Sequence, residues 1–218
     1  MIINKKKLKN ENTKSKLITY LHPDSIISEQ YRTILTNIKF AMPEKQSCAF
    51  VITSPGKGEG KSTSAANLAV SMAQQKKKVL LIDGNLRDPM LHTILNIPNT
   101  TGLTDVLTGR VTLEEARFRT EIGRLEVLTS GTIPYNPVEL LGSQLLKDLL
   151  HRALQLYDIV LIDSPSVSEV TDTKLLANQS NGVIVVINRS KTKIKKAIEM
   201  KKELEFAKAK FIGVILHD

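Results

Sequence analysis

Two kinds of residue in this 218-residue chain have the type and spacing to handle a phosphate. The first is the run Gly56-Lys57-Gly58-Glu59-Gly60-Lys61-Ser62-Thr63. Glycines let backbone N–H groups curl around an anion without Cβ clashes. A helix opening at Lys61 would add free N–H groups and the positive end of its dipole. Lys61 would reach the β- and γ-phosphates of a nucleotide, and the Ser62 hydroxyl would bind Mg²⁺. The second kind is a pair of aspartates, Asp83 and Asp163, each closing an apolar run. An aspartate after a strand is also a common helix N-cap. Two of them beside a phosphate loop point instead to Mg²⁺, which takes oxygen ligands and needs only one or two carboxylates besides phosphate. Arg87 lies on the excursion that follows Asp83 and joins Lys61, Asp83 and Asp163 as a candidate catalytic group.

These residues need elements to position them. Ala49–Thr53 reads as a buried strand ahead of the loop, and Ala65, Leu68, Ala69, Met72 and Ala73 give the following segment a helical period. Strand, glycine loop and helix in that order is the context a phosphate loop requires. The strict motif has glycine where this chain has Pro55. Further strands are expected at 79–83, 125–129, 157–163, 183–187 and 211–216. Helices are expected at about 26–41, 144–156, 171–178 and 194–207, with short helical pieces at 90–95, 104–107 and 113–118. Asn136 is expected to cap a helix that starts at Pro137. Strands alternating with helices imply an α/β fold: a parallel sheet flanked by helices on both faces, three layers in all. The C-terminal strand ends of such a sheet face the ligand crevice, so both aspartates should lie near the loop.

Composition narrows the class. The length suits one domain, with 1–22 read as a basic flexible arm and 23–218 as the nucleotide-binding domain. The arm carries Lys5, Lys6, Lys7, Lys9, Lys14 and Lys16 against Glu11 alone. A net charge of +9 invites anionic partners. Nucleic acid is not expected among them, because no aromatic-rich platform accompanies the charge. Cys48 is the single cysteine, so no intrachain disulfide can form and a cytoplasmic setting is expected. No apolar run approaches a membrane span. His22, His92, His151 and His217 are too scattered for a histidine metal site.

The loop, the Asp83–Arg87 stretch and Leu161-Ile162-Asp163-Ser164-Pro165 together resemble the bacterial tyrosine kinases of capsule and exopolysaccharide synthesis. Ser28 to Ile38, Asn136 to Leu141 and Thr171-Asp172-Thr173 resemble further segments of that family, so the likeness runs from 24 to 218. It implies a P-loop fold of the Par/Min type, ATP and Mg²⁺ as cofactors, and phosphoryl transfer to protein tyrosine. Residues 56–63 would hold the nucleotide, His217 would lie near its adenine, and Ser62, Asp83 and Asp163 would hold the metal. The likeness also implies ring oligomers through Glu29 and Arg32. It further implies activation by the cytoplasmic tail of a membrane polysaccharide co-polymerase, which would keep the chain at the inner face of the membrane.

The chain departs from the family at several positions. Asn85 stands where a second aspartate is usual, Leu35 replaces a second arginine on the first helix, and Lys57 and Ser166 replace prolines. The sequence stops at Asp218, ahead of the family's tyrosine cluster, so little self-phosphorylation is expected. Asn85 and Leu35 also fit an alternative, a nucleotide-binding regulatory partner with little or no transfer. A partition- or septum-type ATPase ranks last, because its signature lysine would fall at Gly56.

Overall fold

The computed structural model describes residues 16–41 and 46–218. They build one seven-stranded sheet in the order β3-β4-β2-β5-β1-β6-β7. The strands are β1 (Cys48–Thr53), β2 (Val79–Asp83), β3 (Phe118–Arg119), β4 (Leu125–Leu128), β5 (Ile159–Asp163), β6 (Gly182–Asn188) and β7 (Phe211–His217). Every pairing is parallel except β3 with β4. Strands β1, β2 and β5 are buried along their whole length. Both of their faces are covered, which is why they read as continuous aliphatic runs rather than alternating ones.

One face carries α1 (Ile18–Leu21), α2 (Ile26–Ala41), α3 (Lys61–Gln74) and α4 (Leu91–Leu95). The other carries α5 (Leu103–Leu107), α6 (Leu113–Ala116), α7 (Pro137–Leu141), α8 (Gln144–Leu156), α9 (Asp172–Asn178) and α10 (Ile194–Phe206). Helix α3 is buried almost all round, and its Ala65, Ala66, Ala69 and Ala73 let it sit close to the sheet beneath α1 and α2. This fixes the helix that follows the phosphate loop as a rigid core element. The three-layer α/β expectation is met.

Four local readings change. The arm was expected to run to residue 22, and its first fifteen residues lie outside those described. Residues 16–22 are anchored at two points: Leu17 is buried, and Thr19 donates from its backbone N to Asn67 Oδ1 at 3.0 Å, while Lys16, Tyr20, Leu21 and His22 are exposed. A polar composition hid one buried leucine and one threonine that completes the hydrogen bonding of α3. The helical piece at 113–118 stops at Ala116, because Phe118 and Arg119 pair antiparallel with Val127 and Glu126. Asn136 does not cap α7; its amide donates to Glu139 Oε2 at 3.0 Å. Leu35 is 2% exposed and packs in the core, so it is not a vacated surface contact. Glu29 and Arg32 form an ion pair on the exposed side of the same helix.

Candidate active site

The site is built from three strand ends. β1 runs into the loop, and β2 and β5 end on Asp83 and Asp163, which stand side by side in register. Residues Gly58 and Gly60 take φ of 73° and 80°, the left-handed region that glycine occupies at least cost. A Cβ on Gly60 would also lie 2.7 Å from His217 Nε2.

Four of the loop's carbonyls are engaged by side chains. Ser54 Oγ donates to Gly56 O at 2.7 Å, Ser168 Oγ to Pro55 O at 2.6 Å, and Lys191 Nζ to Gly58 O at 3.1 Å. His217 Nε2 contacts Glu59 O at 2.6 Å. With these carbonyls engaged, the loop amides remain available to an anion. The cleft beside them has a volume of about 210 Å³ and is lined by Gly58, Gly60, Lys61, Ser62, Thr63 and Asp88, among others.

The two aspartates are both fully buried and differ in their partners. Asp83 Oδ2 accepts from the backbone N of Met90 at 3.1 Å and of Leu91 at 3.0 Å; its Oδ1 accepts from Asn85 N at 3.3 Å. Burial, then the charge of Asp163, pushes the Asp83 carboxyl well above the usual carboxylate range, while those amides pull it back. Neither oxygen of Asp163 has a hydrogen-bond partner among the described residues. Burial raises its pKa too, opposed first by the Lys61 charge and then by the Ser62 hydroxyl. A buried carboxylate with free lone pairs, next to a hydroxyl and an ammonium, fits a hard cation that brings its own phosphate oxygens and waters. Among the described residues no group of three or more His, Cys, Asp or Glu is placed to hold a metal ion without such added ligands.

A family model described as "AAA domain" matches residues 50–211. The tyrosine-protein kinase YwqD of Bacillus subtilis (strain 168) is 46% identical over 201 residues, 92% of this chain and 85% of that protein. The chain belongs to the bacterial tyrosine-kinase family. Among solved structures, the chimerical protein CapA2B2 superposes with a TM-score of 0.89 at 42% identity, covering 93% of this chain and 89% of its own. The septum site-determining protein MinD of Pyrococcus horikoshii OT3, complexed with Mg-ADP, gives 0.67 at 26% identity over 78% of this chain and 70% of its own. The P-loop architecture is thus shared widely, and the agreement with the tyrosine-kinase relatives is closer.

Within this family geometry, Lys61, Ser62, Asp83 and Asp163 converge as the sequence predicts. Arg87 does not join them: its Nε and Nη2 bind Asp172 Oδ2 and Oδ1 at 2.9 and 3.1 Å. Lys57 pairs with Asp88 at 2.6 Å, and both line the cleft beside the loop. His217 braces the loop from behind through Glu59 O. The residues sequence reasoning missed are these braces: Ser168, Lys191 and the buried Asp172. The segment Thr171-Asp172-Thr173 was visible as a motif, but the partner of Asp172 lies 85 residues away and no spacing rule connects them.

Proposed function

We propose that the chain is an ATP-dependent protein-tyrosine kinase of capsule and exopolysaccharide synthesis, activated by the cytoplasmic tail of a membrane polysaccharide co-polymerase. The observation that carries this reading is Asp163, buried without a hydrogen-bond partner beside Lys61 and Ser62, next to a loop whose Pro55, Gly56, Gly58 and Glu59 carbonyls are engaged by side chains. Residues 56–63 bind the phosphates, with Lys61 supplying the mobile positive charge. Ser62, Asp163 and Asp83 would hold Mg²⁺, which neutralises phosphate charge when bound. Asp83 orients the incoming tyrosine hydroxyl and takes its proton. Arg87, tied to Asp172, holds the 84–88 excursion in place and acts as a positioning residue.

Partner and place follow from the same reading. No helix among the described residues is long and apolar enough to cross a membrane, so the co-polymerase tail would bring the chain to the inner face. The exposed Glu29–Arg32 pair is the candidate contact between copies in a ring.

One observation favours a second reading. Asn85 uses both ends of its amide in the turn: Nδ2 donates to Asp88 O at 2.7 Å, and Oδ1 accepts from Asp88 N at 3.3 Å. It is a turn residue here and offers no negative charge to a metal, as a regulatory ATP-binding partner would require. The deciding experiment mixes the chain with ATP, Mg²⁺, the co-polymerase tail and a tyrosine-containing peptide. Phosphotyrosine on the peptide, lost in Lys61→Ala, is the expected result. ATP binding without transfer would assign the regulatory role.

A further inference from the structure

The positive charge of the chain is not spread over its surface. Residues 189–210 hold nine lysines and arginines against three glutamates, a net of +6 out of the chain's +9. Helix α10 occupies the middle of this stretch. It anchors to the sheet through Met200 and Leu204, both buried. At about 100° per residue, the arc opposite those anchors carries Lys202, with Ile198, Lys195, Ile194 and Phe206 to either side; Glu199 and Glu205 also lie on it, 4.0 Å from Lys195 and 3.6 Å from Lys201. The apolar members of that arc are open to solvent: Ile194 is 79% exposed, Ile198 52% and Phe206 87%. Isolated exposed apolar residues are ordinary. Three on one arc of a lysine-rich helix are a pattern.

The sheet edge extends the patch. Val214 and Leu216 pair with Val185 and Ile187, and Val185 packs in the same cluster as Met200 and Leu204. Residues paired across parallel strands share a face. Val214 and Leu216 therefore project from the α10 side of the sheet, at its open edge, and both are exposed. Apolar side chains on a surface where lysines outnumber glutamates match the chemistry of a bilayer interface, where acyl chains take the first and anionic headgroups the net positive charge.

We propose that α10 and the adjoining edge of β7 form a direct docking face for an anionic lipid surface. The face belongs to the folded domain itself and does not depend on a protein partner. It would set the kinase down on its α10 side, leaving the strand ends and the phosphate loop beside the membrane plane rather than against it. Lys191, which braces the loop, is excluded from the face by its bond to Gly58 O.

The test uses the full chain and co-sedimentation with vesicles of phosphatidylcholine alone or with phosphatidylglycerol. Wild type should bind the anionic vesicles and be released by salt. Ile194→Ser with Ile198→Ser and Phe206→Ser should weaken binding by about tenfold or more, and Lys195→Gln or Lys202→Gln by about fivefold each. All five side chains are exposed, so the variants should fold. Lys5→Gln with Lys6→Gln and Lys7→Gln tests the N-terminal charges separately. Binding lost in that variant and kept in the helix variants would overturn the proposal. The chain has no tryptophan, so Ile198→Trp gives a clean reporter. Its emission should shift to the blue and be quenched by brominated lipid. No shift with anionic vesicles, or the same shift with polyglutamate and none with vesicles, would assign the face to solvent or to an acidic protein and sink the lipid reading.

Discussion

At one end of the central strands Asp163 is buried with both carboxylate oxygens free of partners. At the other end Tyr157, Glu126 and Arg117 are bonded to one another. Arg117 Nη1 reaches Tyr157 Oη at 2.8 Å and Glu126 at 2.9 Å, Tyr157 donates to Glu126, and Lys78 sits 5.2 Å above the tyrosine ring. The two clusters lie at opposite ends of β5 and are similarly polar. The difference is completeness. A buried carboxylate without a partner costs stability unless something else supplies the missing charge. The saturated cluster needs nothing from outside. Completeness therefore separates the end that waits for a ligand from the end that holds the sheet together.

The largest effects should come from the incomplete end, and on transfer alone. Lys61→Ala and Asp163→Asn should each lower phosphotyrosine formation at least about a hundredfold, the scale of losing one preorganised charge in a transfer site. Asp163→Asn should leave the melting temperature of the nucleotide-free protein unchanged or raise it, because the variant removes a buried carboxyl held against Asp83 and without a hydrogen-bond partner. A fall of several degrees by calorimetry would mean that Asp163 is a structural group after all. The complete end should behave in the opposite way. Arg117→Ala leaves Glu126 half-buried without its closest cation and should cost about 2 kcal/mol of stability. Transfer per folded molecule should not change. Loss of transfer in that variant at a temperature where it is fully folded would break the comparison.

The incomplete end was legible in the sequence and the complete end was not. Gly56 to Thr63, Asp83 and Asp163 follow from spacing, because a parallel sheet sends the ends of its strands to one crevice. The Tyr157 cluster joins residues from β4, the β3 edge and the turn before β5, and two-residue β3 carries no period to read. The same holds for the loop braces Ser168 and Lys191, whose partners lie more than a hundred residues away. Leu35 shows the opposite error. Its motif position suggested a surface contact, while the structure buries it beside Ile38.

A smaller effect should appear with pH at the complete end. Burial, and then the Glu126 carboxylate, push the Tyr157 phenol from 10.0 up to about 12, against the opposing pull of Arg117. A group whose folded pKa is raised adds stability in full below its unfolded pKa, and that contribution is lost as pH rises through the folded one. Alkaline stability should therefore decline between pH 10.0 and about 12, by roughly 1–2 kcal/mol. In Tyr157→Phe this part of the slope should flatten. An equal slope in the variant, followed by denaturant titration at each pH, would show that other groups carry the alkaline transition.

The smallest effect on stability, and the one that cuts between the two functional readings, is expected for Asn85→Asp. Asn85 closes the turn after Asp83 with one donor and one acceptor, both directed at Asp88. Aspartate keeps the acceptor and turns its second oxygen toward the Asp88 carbonyl, so one hydrogen bond becomes a repulsion. The cost should be about 1 kcal/mol, a lowering of the melting temperature by about 2–4 °C without metal. A further carboxylate beside Asp83 also adds like charge to a site whose aspartates already resist ionisation. Mg²⁺ reverses that last term, because it is the largest charge such a site can hold. The deficit should thus shrink when Mg²⁺ and nucleotide are added, and transfer to a tyrosine peptide should rise. An equal deficit with and without Mg²⁺ would place residue 85 in the turn and outside the metal's reach. Transfer seen in the variant and absent from the wild type would mean that this chain keeps the family's site and has given up its chemistry, with the amide at 85 as the cause.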